Sequence, residues 1–592
     1  MTEVKFDPLQ ILKEDLQDED HSVQIEGAKK IPVVATAIGP KRARKDLIDF
    51  LSEYLNESSD ETMVAIGKAM ADVAKVVGGA EFLGCLVPLL EKLAFEEETV
   101  VCDAASTSLG SIIQDMGKNE VEKQIMPILE RMANAEWFQP RVGVSKLLPM
   151  AYPKASEGSQ KTIIEWFGHL CKDENPMAKK AALINMGNLA NAMGKNKIRD
   201  NMIAKLKDVC AEESDLMRLH AVGVCRHMTE TFKESKDFSA VLWPIVQKLA
   251  EDASWRVRKE LAEVIPQFAK VAGPEMASKE IVPIFVGLLR DKEAEVKIAA
   301  SGKLKEVCYQ CKKDVNQVSE VLGELMEDTS QTVRASVSAA LGEIAVLCES
   351  KVRQAIFDVM KVAVKDEDSL VRCNTLESIQ HVAKNVKNPP PSLFTMLQPF
   401  ASDPKWRVRR EYLRASTAFS VASSKTESDT SFDQKLTNNL IECLSDHISS
   451  IREEACVQLG EIVGIKGSEW GIKTLLPEAL KSVSQSDMGE QSNYITRMTG
   501  LVLVTNVSKH LSADQIEKHV VGFVEQCLKD VVENVRFKAA RTCEAILPRT
   551  SKKVVRERLI PALENVQKGE QDQDILFYSE QALHLARRHC GN

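Results

Sequence analysis

The sequence predicts an all-α protein built from stacked two-helix repeats. Three observations predict this fold: a turn phrase that recurs about every 40 residues, helices that keep one apolar face, and an aromatic content of only 5%. At 592 residues the chain is far longer than one ordinary globular core, so it forms either several domains or one extended array. The recurring phrase favours the array.

The recurring phrase is a polar turn with an aspartate, followed by an aliphatic residue, a cation and a helix. One copy reads Asp252-Ala-Ser-Trp-Arg-Val257-Arg258 and another reads Asp328-Thr-Ser-Gln-Thr-Val333-Arg334. From Val257 to Ile451 the aliphatic residue advances by 39, 37, 38, 37 and 43 residues. A slot of this length holds two helices of about four turns each, which is the period of HEAT and armadillo repeats.

The second helix of each slot is amphipathic. In one copy Val257, Leu261, Val264 and Phe268 advance by 4, 3 and 4 residues, which places them on one face of a helix. The sequence therefore predicts that this face is buried between repeats.

The first helix of several slots carries a proline. Pro88, Pro244 and Pro283 each stand 13 residues before the aliphatic residue of their repeat. Because proline removes a backbone donor and crowds the preceding turn, we expect these outer helices to be bent.

Weaker copies of the phrase complete a count of fifteen repeats. Their turns are predicted near Asp20, Asp60, Glu97, Trp137, Asn175, Asp215, Asn493 and Asp574. We expect residues 1–592 to form a single continuous HEAT-repeat solenoid, a right-handed superhelix in an elongated curved rod, with divergent caps at both ends. Residues 388–392, 423–432 and 484–492 are interpreted as longer connections between repeats rather than domain linkers.

Composition restricts the partners and the location. The net charge of -9 disfavours nucleic acid, since an acidic chain has no general attraction for phosphates. No stretch approaches the ~20 apolar residues of a membrane helix, and the charged N-terminus is unlike a secretory signal. The 14 cysteines lack a disulfide spacing, so we expect a reducing compartment, the cytosol, with nuclear access left open.

No catalytic motif stands out. The sequence has no glycine-rich phosphate loop, no His-Glu-x-x-His and no nucleophile elbow, and its ten histidines are dispersed. The one spacing typical of a metal site is Cys308-Tyr-Gln-Cys311, which we interpret as packed or surface thiols because no second pair follows at zinc-site distance. We therefore expect no enzyme activity, no cofactor and no metal.

The turns carry two kinds of residue. The aspartate is predicted to cap the following helix, and the cation to reach an aspartate in an adjacent turn, so that most of these residues serve stacking alone. Trp137-Phe138, Ser254-Trp255-Arg256 and Lys405-Trp406-Arg407 instead place large aromatic and cationic side chains in turns that should be exposed. Such residues are typical of binding hot spots, although a tryptophan can also simply cover the neighbouring repeat.

These turns resemble one family of HEAT proteins, the scaffold (A) subunits of protein phosphatase 2A. The resemblance rests on Glu251-Asp-Ala-Ser-Trp-Arg-Val-Arg258 and Asp403-Pro-Lys-Trp-Arg-Val-Arg409. Further matches are Val77-Gly-Gly-Ala-Glu-Phe82, Glu97-Glu-Thr-Val-Val101, Glu136-Trp-Phe138, Asn493-Tyr-Ile-Thr-Arg-Met-Thr499 and Asn534-Val-Arg-Phe537, in order along the whole chain.

The resemblance implies a non-catalytic scaffold with two binding regions. C-terminal repeats, 393–589, would hold the phosphatase catalytic subunit, and N-terminal repeats, 8–320, would receive interchangeable regulatory B-type subunits. Carried over by position, the catalytic-subunit side comprises Lys405, Trp406, Arg407, Tyr494, Met498, Val532 and Glu533. The regulatory-subunit side comprises Glu97, Glu98, Trp137, Phe138, Pro176, Lys179, Lys180, Ser254, Trp255 and Arg256.

The sequence departs from the family pattern in three places. Ser449 stands where the family has an aromatic residue, Lys179-Lys180 replace a pair of arginines, and the connections after Ser423 and Ser484 are longer. Lysine lacks the planar bidentate fork of arginine, so the choice of regulatory subunit is left open. One rival is a HEAT-type nuclear transport receptor that binds a small GTPase and cargo; a second is an enzyme with a cryptic metal site at Cys308 and Cys311.

Overall fold

The structure, a computed structural model, describes residues 7–194, 197–198, 201–232, 238–311, 315–387, 389–423, 430–477, 480 and 494–591. The described residues form helices and no strands, which confirms the all-α prediction. The chain divides into two compact units, Met1–Lys303 and Leu304–Asn592.

The α-helices of the first unit range from single turns to 22 residues. They are α1 Pro8–Leu16, α2 His21–Ile38, α3 Pro40–Arg42, α4 Ile48–Tyr54, α5 Asp60–Val73, α6 Val87–Ala94, α7 Thr99–Asp115, α8 Lys118–Glu120, α9 Met126–Ala133, α10 Phe138–Ala151, α11 Glu157–Leu170, α12 Pro176–Met193, α13 Ile203–Val209, α14 Asp215–Thr231, α15 Trp243–Ala250, α16 Trp255–Met276, α17 Val282–Leu289 and α18 Ala294–Ser301.

The second unit continues the same alternation of a shorter and a longer helix. Its helices are α19 Leu304–Gln310, α20 Val315–Met326, α21 Gln331–Leu347, α22 Ser350–Ala363, α23 Ser369–Asn385, α24 Pro391–Thr395, α25 Trp406–Ser423, α26 Thr430–Cys443, α27 Ser449–Lys466, α28 Ser468–Trp470, α29 Tyr494–Val507, α30 Ala513–His519, α31 Val521–Cys527, α32 Glu533–Ile546, α33 Lys552–Val554, α34 Ile560–Gly569 and α35 Gln573–Cys590.

Among the described residues, fifteen helical segments serve as the second helix of a repeat, which confirms the repeat count. The eighth is interrupted at Gly302, a residue with low helix propensity, and α19 follows it in the chain. Within each unit the second helices of successive repeats pack on one another. The contacting pairs are α2–α5, α5–α7, α7–α10, α10–α12, α12–α14, α14–α16 and α16–α18 in the first unit, and α21–α23, α23–α25, α25–α27, α27–α29, α29–α32 and α32–α35 in the second.

The predicted apolar face of the second helix is buried. Val257, Leu261, Val264 and Phe268 of α16 all lie in the core. Burial of one such side chain stabilises the fold by about 1.5–3 kcal/mol, so this face supplies much of the attraction between repeats.

The proline of the first helix marks a break. Pro244 and Pro283 stand at the start of α15 and α17, and a π-helical turn precedes each, Phe238–Leu242 and Ala277–Ile281. At Pro88 a 3₁₀ segment, Ala80–Leu86, takes that place. The π-helical turn is wider than an α-helical turn and the 3₁₀ segment is tighter, and either accommodates the backbone donor that proline lacks. The predicted bend of the first helix is therefore seen as a change of helix type before the proline.

The predicted connections fall at the edges of the described structure. The proline run separates α23 from α24 as expected, although Asn388 lies outside the described residues. Most of the connection after Ser423, the whole connection 484–492 and the turn at Asn493 also lie outside them. Among the described helices, none is long and apolar enough to span a membrane.

Within each unit, ion pairs form a ladder between the turns of successive repeats from α10 onward. The cation that follows the aliphatic residue reaches the acid of the next repeat, as predicted. The pairs are Arg141–Asp173 at 2.7 Å, Lys179–Glu212 at 2.9 Å, Arg218–Asp252 at 2.8 Å and Arg258–Asp291 at 2.6 Å in the first unit, and Arg334–Asp366 at 2.7 Å, Arg372–Asp403 at 3.1 Å, Arg409–Asp446 at 3.0 Å, Arg497–Asp530 at 2.5 Å and Arg536–Glu570 at 2.6 Å in the second.

Arg258 illustrates how a ladder arginine can also hold its own turn. Arg258 uses Nε and Nη2 for the carboxylate of Asp291, at 2.6 and 2.9 Å, while Nη1 donates to the carbonyls of Asp252 and Ala253 at 2.7 and 3.2 Å. Both carboxylate oxygens and the turn carbonyls are thereby satisfied, which a partly buried charged pair requires.

The turn aspartate accepts the N–H of the N-cap residue, one residue before the helix whose N–H groups the sequence predicted it to cap. The Oδ1 atom of Asp252 accepts the N–H of Ser254 at 2.8 Å, and Ser254 is itself the N-cap residue of α16. The same bond joins Asp291 to the N–H of Glu293 at 2.9 Å. The aspartate therefore shapes the turn before the helix, and the predicted role as a direct helix cap is corrected to that extent.

The ladder predicts a sharp contrast between two arginines of one turn. We expect Arg258→Ala to lower the free energy of unfolding by about 2–4 kcal/mol, because it leaves the buried carboxylate of Asp291 unpaired. Arg256→Ala, which removes an exposed pair, serves as the matched control and should cost less than about 1 kcal/mol. Urea unfolding followed by circular dichroism measures both, and equal losses would contradict the ladder's role.

The ladder also predicts loss of stability in acid. Burial alone would raise the pKa of Asp291, but the hydrogen bonds from Arg258 and the N–H of Glu293 outweigh it and lower that pKa. A carboxyl whose pKa is lowered on folding stabilises the fold above its unfolded pKa of about 3.9 and loses that contribution as pH falls further. Asp291→Asn should therefore flatten the pH dependence of unfolding below about pH 4. Asp72→Asn, at an exposed pair, is the matched control for the loss of an ion pair and should cost less than about 1 kcal/mol at neutral pH.

Candidate functional site

In the first unit, the turn before α10 exposes an aromatic side chain. Trp137 is 52% exposed, and its ring lies 5.5 Å from the ring of the half-buried Phe138. Arg141 Nη1 donates to three carbonyls of the turn, including that of Trp137 at 3.2 Å. Glu97 and Glu98 of the preceding repeat are also exposed. These predicted residues therefore face solvent, and the hydrogen bonds from Arg141 fix the backbone of the turn that carries Trp137.

The turn before α16 is joined to the previous repeat through Asp215. Ser254 Oγ donates to Asp215 Oδ2 at 2.9 Å, and Arg256 Nη1 lies 3.3 Å from the same oxygen. The hydrogen bond from Ser254 lowers the pKa of Asp215, with help from Arg256. The guanidinium of Arg256 lies 5.0 Å from the ring of Trp255, which is half-buried rather than fully exposed. Trp255 therefore both covers its neighbour and presents a face to solvent.

The turn before α12 differs from its prediction in one residue. Pro176 is exposed and Lys180 is half-buried, but Lys179 occupies the ladder position and binds Glu212. A single ammonium there replaces the bidentate contact that arginine makes in other repeats. Lys179 is thus already engaged within the fold.

In the second unit, the turn before α25 presents cations around one indole. Lys405 and Arg407 are exposed and Trp406 is half-buried. The guanidinium groups of Arg407 and Arg410 lie 4.7 and 5.5 Å from the Trp406 ring. Two cations close to one indole ring hold the ring in place and leave a positive surface.

A buried carboxylate lies beneath this surface. Glu411 is 2% exposed, and its Oε1 accepts Arg410 Nε at 3.0 Å and Arg414 Nη1 at 3.2 Å. Arg414 Nη2 then donates to Glu454 of the next repeat at 2.7 Å. This network orients Arg410 toward Trp406, and sequence reasoning missed it because no spacing marks a buried glutamate.

Tyr494 and Met498 line a cavity of about 250 Å³ between the first turns of α27, α29 and α32. Its other walls are Ser449, Arg452, Glu453, Ile495, Thr499, Val502, Asn534 and Lys538. Ser449, where an aromatic residue was expected from the resemblance, is exposed at this cavity. A cavity with aliphatic walls and charged edges suits one partner side chain.

The last predicted contacts lie at the start of α32. Val532 is half-buried, and its N–H donates to Asp530 Oδ1 at 2.9 Å. Glu533 is exposed beside it, and so is Val531. Asp530 is held by Arg497, which is fully buried.

Sequence reasoning missed a set of exposed apolar side chains. They share one position, the second residue of a second helix: Val100, Met177, Leu216, Leu370 and Ile495. For Val100, Met177, Leu216 and Leu370 the available signal was an apolar residue just before a buried aliphatic residue, but such a residue reads as part of the core. Ile495 instead precedes the half-buried Thr496.

The cysteine pair lies in the core. Cys308 and Cys311 are both buried. Burial raises the pKa of the Cys308 thiol, and the neighbouring thiols Cys348 and Cys311 raise it further. Among the described residues, no three His, Cys, Asp or Glu side chains come together as metal ligands do.

The chain is similar in sequence to known HEAT-repeat proteins. The family profile described as "PPP2R1A-like HEAT repeat" matches residues 274–348. The human 65 kDa regulatory subunit of serine/threonine-protein phosphatase 2A, in its A beta isoform, is 29% identical over 382 residues, 63% of each chain. The protein phosphatase 2A scaffold subunit of Dictyostelium discoideum is 29% identical over 198 residues, 33% of this chain and 34% of that one.

The chain is a HEAT-repeat protein related to the scaffold subunits of protein phosphatase 2A. This confirms the resemblance that the turns suggested. The A-type regulatory subunit of protein phosphatase PP2A from Schizosaccharomyces pombe adds 28% identity over 274 residues, 46% of each chain. The aligned regions span between about a third and just under two thirds of the length of these relatives.

Solved structures of similar fold belong to a different group of solenoids. Importin β matches with a TM-score of 0.63 at 14% identity, covering 98% of this chain and 78% of its own. Kap121p bound to Ste12p matches with a TM-score of 0.67 at 14% identity, covering 98% and 63%. At this identity the likeness shows the α-helical repeat fold alone.

The network under Trp406 predicts the effect of removing its central carboxylate. We expect Glu411→Ala to lower the free energy of unfolding by about 2–3 kcal/mol, since Arg410 and Arg414 lose a buried partner. Glu453→Ala, at an exposed carboxylate on α27, should change it by less than about 0.5 kcal/mol. Chemical denaturation of both variants checks this, and a neutral Glu411→Ala would show that the network is dispensable.

Proposed function

We propose that the chain is a non-catalytic scaffold that holds two partners, the protein phosphatase 2A catalytic subunit together with an interchangeable regulatory subunit of the B type. It would thereby direct the dephosphorylation of serine and threonine residues. The observation that carries the proposal is the similarity to relatives that are named scaffold or regulatory subunits of this phosphatase.

The catalytic-subunit side is assigned to repeats within 393–589. Lys405, Trp406 and Arg407 offer an aromatic surface edged by cations, which is the residue mixture enriched at binding hot spots. The cavity at Tyr494 and Met498 offers a place to anchor one partner side chain. Val532 and Glu533 extend the same row of turns.

The regulatory-subunit side is assigned to repeats within 8–320. Several turns there carry exposed or half-buried side chains on backbone that hydrogen bonds hold in place. They are Glu97, Glu98, Trp137, Phe138, Ser254, Trp255 and Arg256. Pro176 and Lys180 add to this row, whereas Lys179 contributes through the ladder.

The mechanism is one of effective concentration. Two partners bound to one chain meet at a far higher local concentration than they do free in solution, without any chemistry by the scaffold. Repeats that touch only their neighbours allow small rotations to add up, so the scaffold adapts to its partners. Cytosolic location with access to the nucleus is part of the same proposal. The nuclear-transport alternative is supported by fold likeness only.

The proposal predicts that one pair of substitutions selectively weakens binding of the catalytic subunit. Trp406→Ala with Arg407→Ala should weaken at least tenfold the binding of the phosphatase catalytic subunit, because hot-spot truncations cost about 2 kcal/mol or more. The matched variant Trp255→Ala with Arg256→Ala should instead weaken regulatory-subunit binding. Surface plasmon resonance with purified subunits measures both, and circular dichroism checks that the helices are kept.

Unchanged catalytic-subunit binding by the first variant would contradict the assignment of that side. Failure of the unmodified chain to bind either purified subunit would contradict the proposed function itself.

A further inference from the structure

A cluster of cations lies where the last repeat begins. Residues 549–558 contain five cations and one carboxylate, in a chain whose net charge is -9. Arg558 is neutralised by an ion pair with Glu525. The other four cations are exposed and share no ion pair within the described part of the chain: Arg549, Lys552, Lys553 and Arg556. Positive charge therefore accumulates here without being cancelled.

Two neighbouring segments complete the cluster. Arg549 Nη1 donates to the carbonyl of Lys509, in the repeat before, at 2.8 Å. Arg556 Nη2 donates to the carbonyl of Cys590, at the end of α35, at 3.0 Å. Lys509 is exposed, and so is Arg588, two residues before Cys590. We call the six exposed cations of these three segments the basic edge: Lys509, Arg549, Lys552, Lys553, Arg556 and Arg588.

Hydrogen bonds to carbonyls order two guanidinium groups of the basic edge without cancelling their charge. A guanidinium has five N–H donors. Arg549 and Arg556 each direct one nitrogen to a backbone carbonyl, which carries no net charge. The remaining N–H groups of these exposed side chains can bind the carboxylates of a partner, and the planar fork of arginine binds a carboxylate through two hydrogen bonds.

Three cations of the basic edge work against the local stability of the helix that carries them. Ser551 caps α33, and the helical path continues through a π-helical turn, so Lys552, Lys553 and Arg556 stand near the start of a helix. The helix dipole favours anions at that end and opposes cations. The other three cations lie near the C-terminal ends of helical segments, where the dipole favours positive charge. A conflict of this kind is typical of functional sites.

The basic edge lies at the far ends of the second helices from the turns that precede them. Helix α32 starts after its turn at Glu533 and ends at Ile546, just before Arg549. Its 14 residues span about 20 Å. Helix α35 likewise runs from its turn toward Arg588. A partner on the basic edge would therefore not compete for the turns.

A short acidic segment suits the basic edge better than a larger polyanion does. The chain as a whole is acidic, and in physiological salt exposed charges interact over about 8 Å. A nucleic acid or an anionic membrane would extend past the basic edge and meet acidic surface, whereas a segment of a few residues would not. Single-stranded nucleic acid also binds by stacking on aromatic rings, and the six residues of the basic edge include none.

We propose that the basic edge is a docking site for an acidic protein segment, a run of aspartate and glutamate residues in an extended conformation. Carboxylates of the segment pair with the exposed cations, above all with Lys552, Lys553 and Arg556. Charge complementarity speeds association and excludes basic partners. The site brings a third protein to the chain, beyond the two partners of the proposed function, and does not depend on them.

The test uses the full chain and a fluorescein-labelled peptide of four Asp-Glu pairs, with binding followed by fluorescence anisotropy. We expect saturable binding that weakens as salt is raised, because the contacts join charged groups at the surface. A peptide of four Asn-Gln pairs, which has the same length and no side-chain charge, should bind at least about tenfold more weakly.

A triple variant of the chain locates the site. Lys552→Gln, Lys553→Gln and Arg556→Gln combined should weaken binding of the Asp-Glu peptide at least about tenfold, since the segment loses its main partners. All three side chains are exposed, so the helices should be kept, and circular dichroism checks this.

A second triple variant is the matched control. It removes three exposed lysines that stand close to turns of the same unit, and it changes the net charge by the same amount: Lys365→Gln, Lys529→Gln and Lys568→Gln. Because these lysines lie well over a Debye length from the basic edge, the affinity for the peptide should change less than about twofold.

Absence of Asp-Glu binding, equal binding of the Asn-Gln peptide, or equal losses in the two triple variants would overturn the proposal. Loss of peptide binding in Lys405→Gln with Arg407→Gln, while the variant of the basic edge binds normally, would place the segment at the Trp406 surface instead. Binding of oligothymidylate or of phosphatidylserine vesicles to the basic edge, without binding of the peptide, would show a different class of partner and would equally contradict the proposal. No phosphatase subunit enters the assay, so its outcome is independent of the proposed function.

Discussion

A guanidinium shared between two turns is the contact on which the rest of the structure depends. Arg258 binds the carboxylate of Asp291 in the next repeat and, with its remaining nitrogen, the carbonyls of its own turn. Repetition of this bond fixes the conformation of each turn and its distance from the next. Stacking of the apolar helix faces supplies the attraction between repeats, but it would allow the helices to slide along one another. The directional hydrogen bonds between charged groups set the register of one repeat on the next.

The side chains between the aspartate and the aliphatic residue carry less of the structural load, although Ser254 and Arg256 still bond to Asp215. The fold needs the aspartate, the aliphatic residue and the cation, and it accepts a wide range of residues between them. The first unit places apolar side chains and unpaired glutamates there, whereas the turn before α25 places an indole among arginines. One repeated frame thus carries two surfaces of different chemistry, which agrees with the proposed binding of two unlike partners.

The fold was predictable because its constraints are periodic. Val257 to Phe268 repeat at helical spacing, and each aspartate stands at a fixed distance before its cation. The site was predictable only where a residue type is unusual for a turn, as for Trp137 and Trp406. Burial of Glu411 and the engagement of Lys179 with Glu212 depend on contacts between repeats, and no pattern within one repeat encodes them.

Hydrogen–deuterium exchange of the full chain, alone and with the purified phosphatase catalytic subunit, tests the central claim most directly. If the turns are held by the ladder and serve as the binding surface, the free chain should already protect the amides of Ser254, Lys405 and Val532 that bond to turn aspartates. The catalytic subunit should increase protection at the turns before α25 and α32 and leave those before α10 and α16 unchanged. Rapid exchange at these amides in the free chain, or added protection only on the first helices of the repeats, would contradict the account.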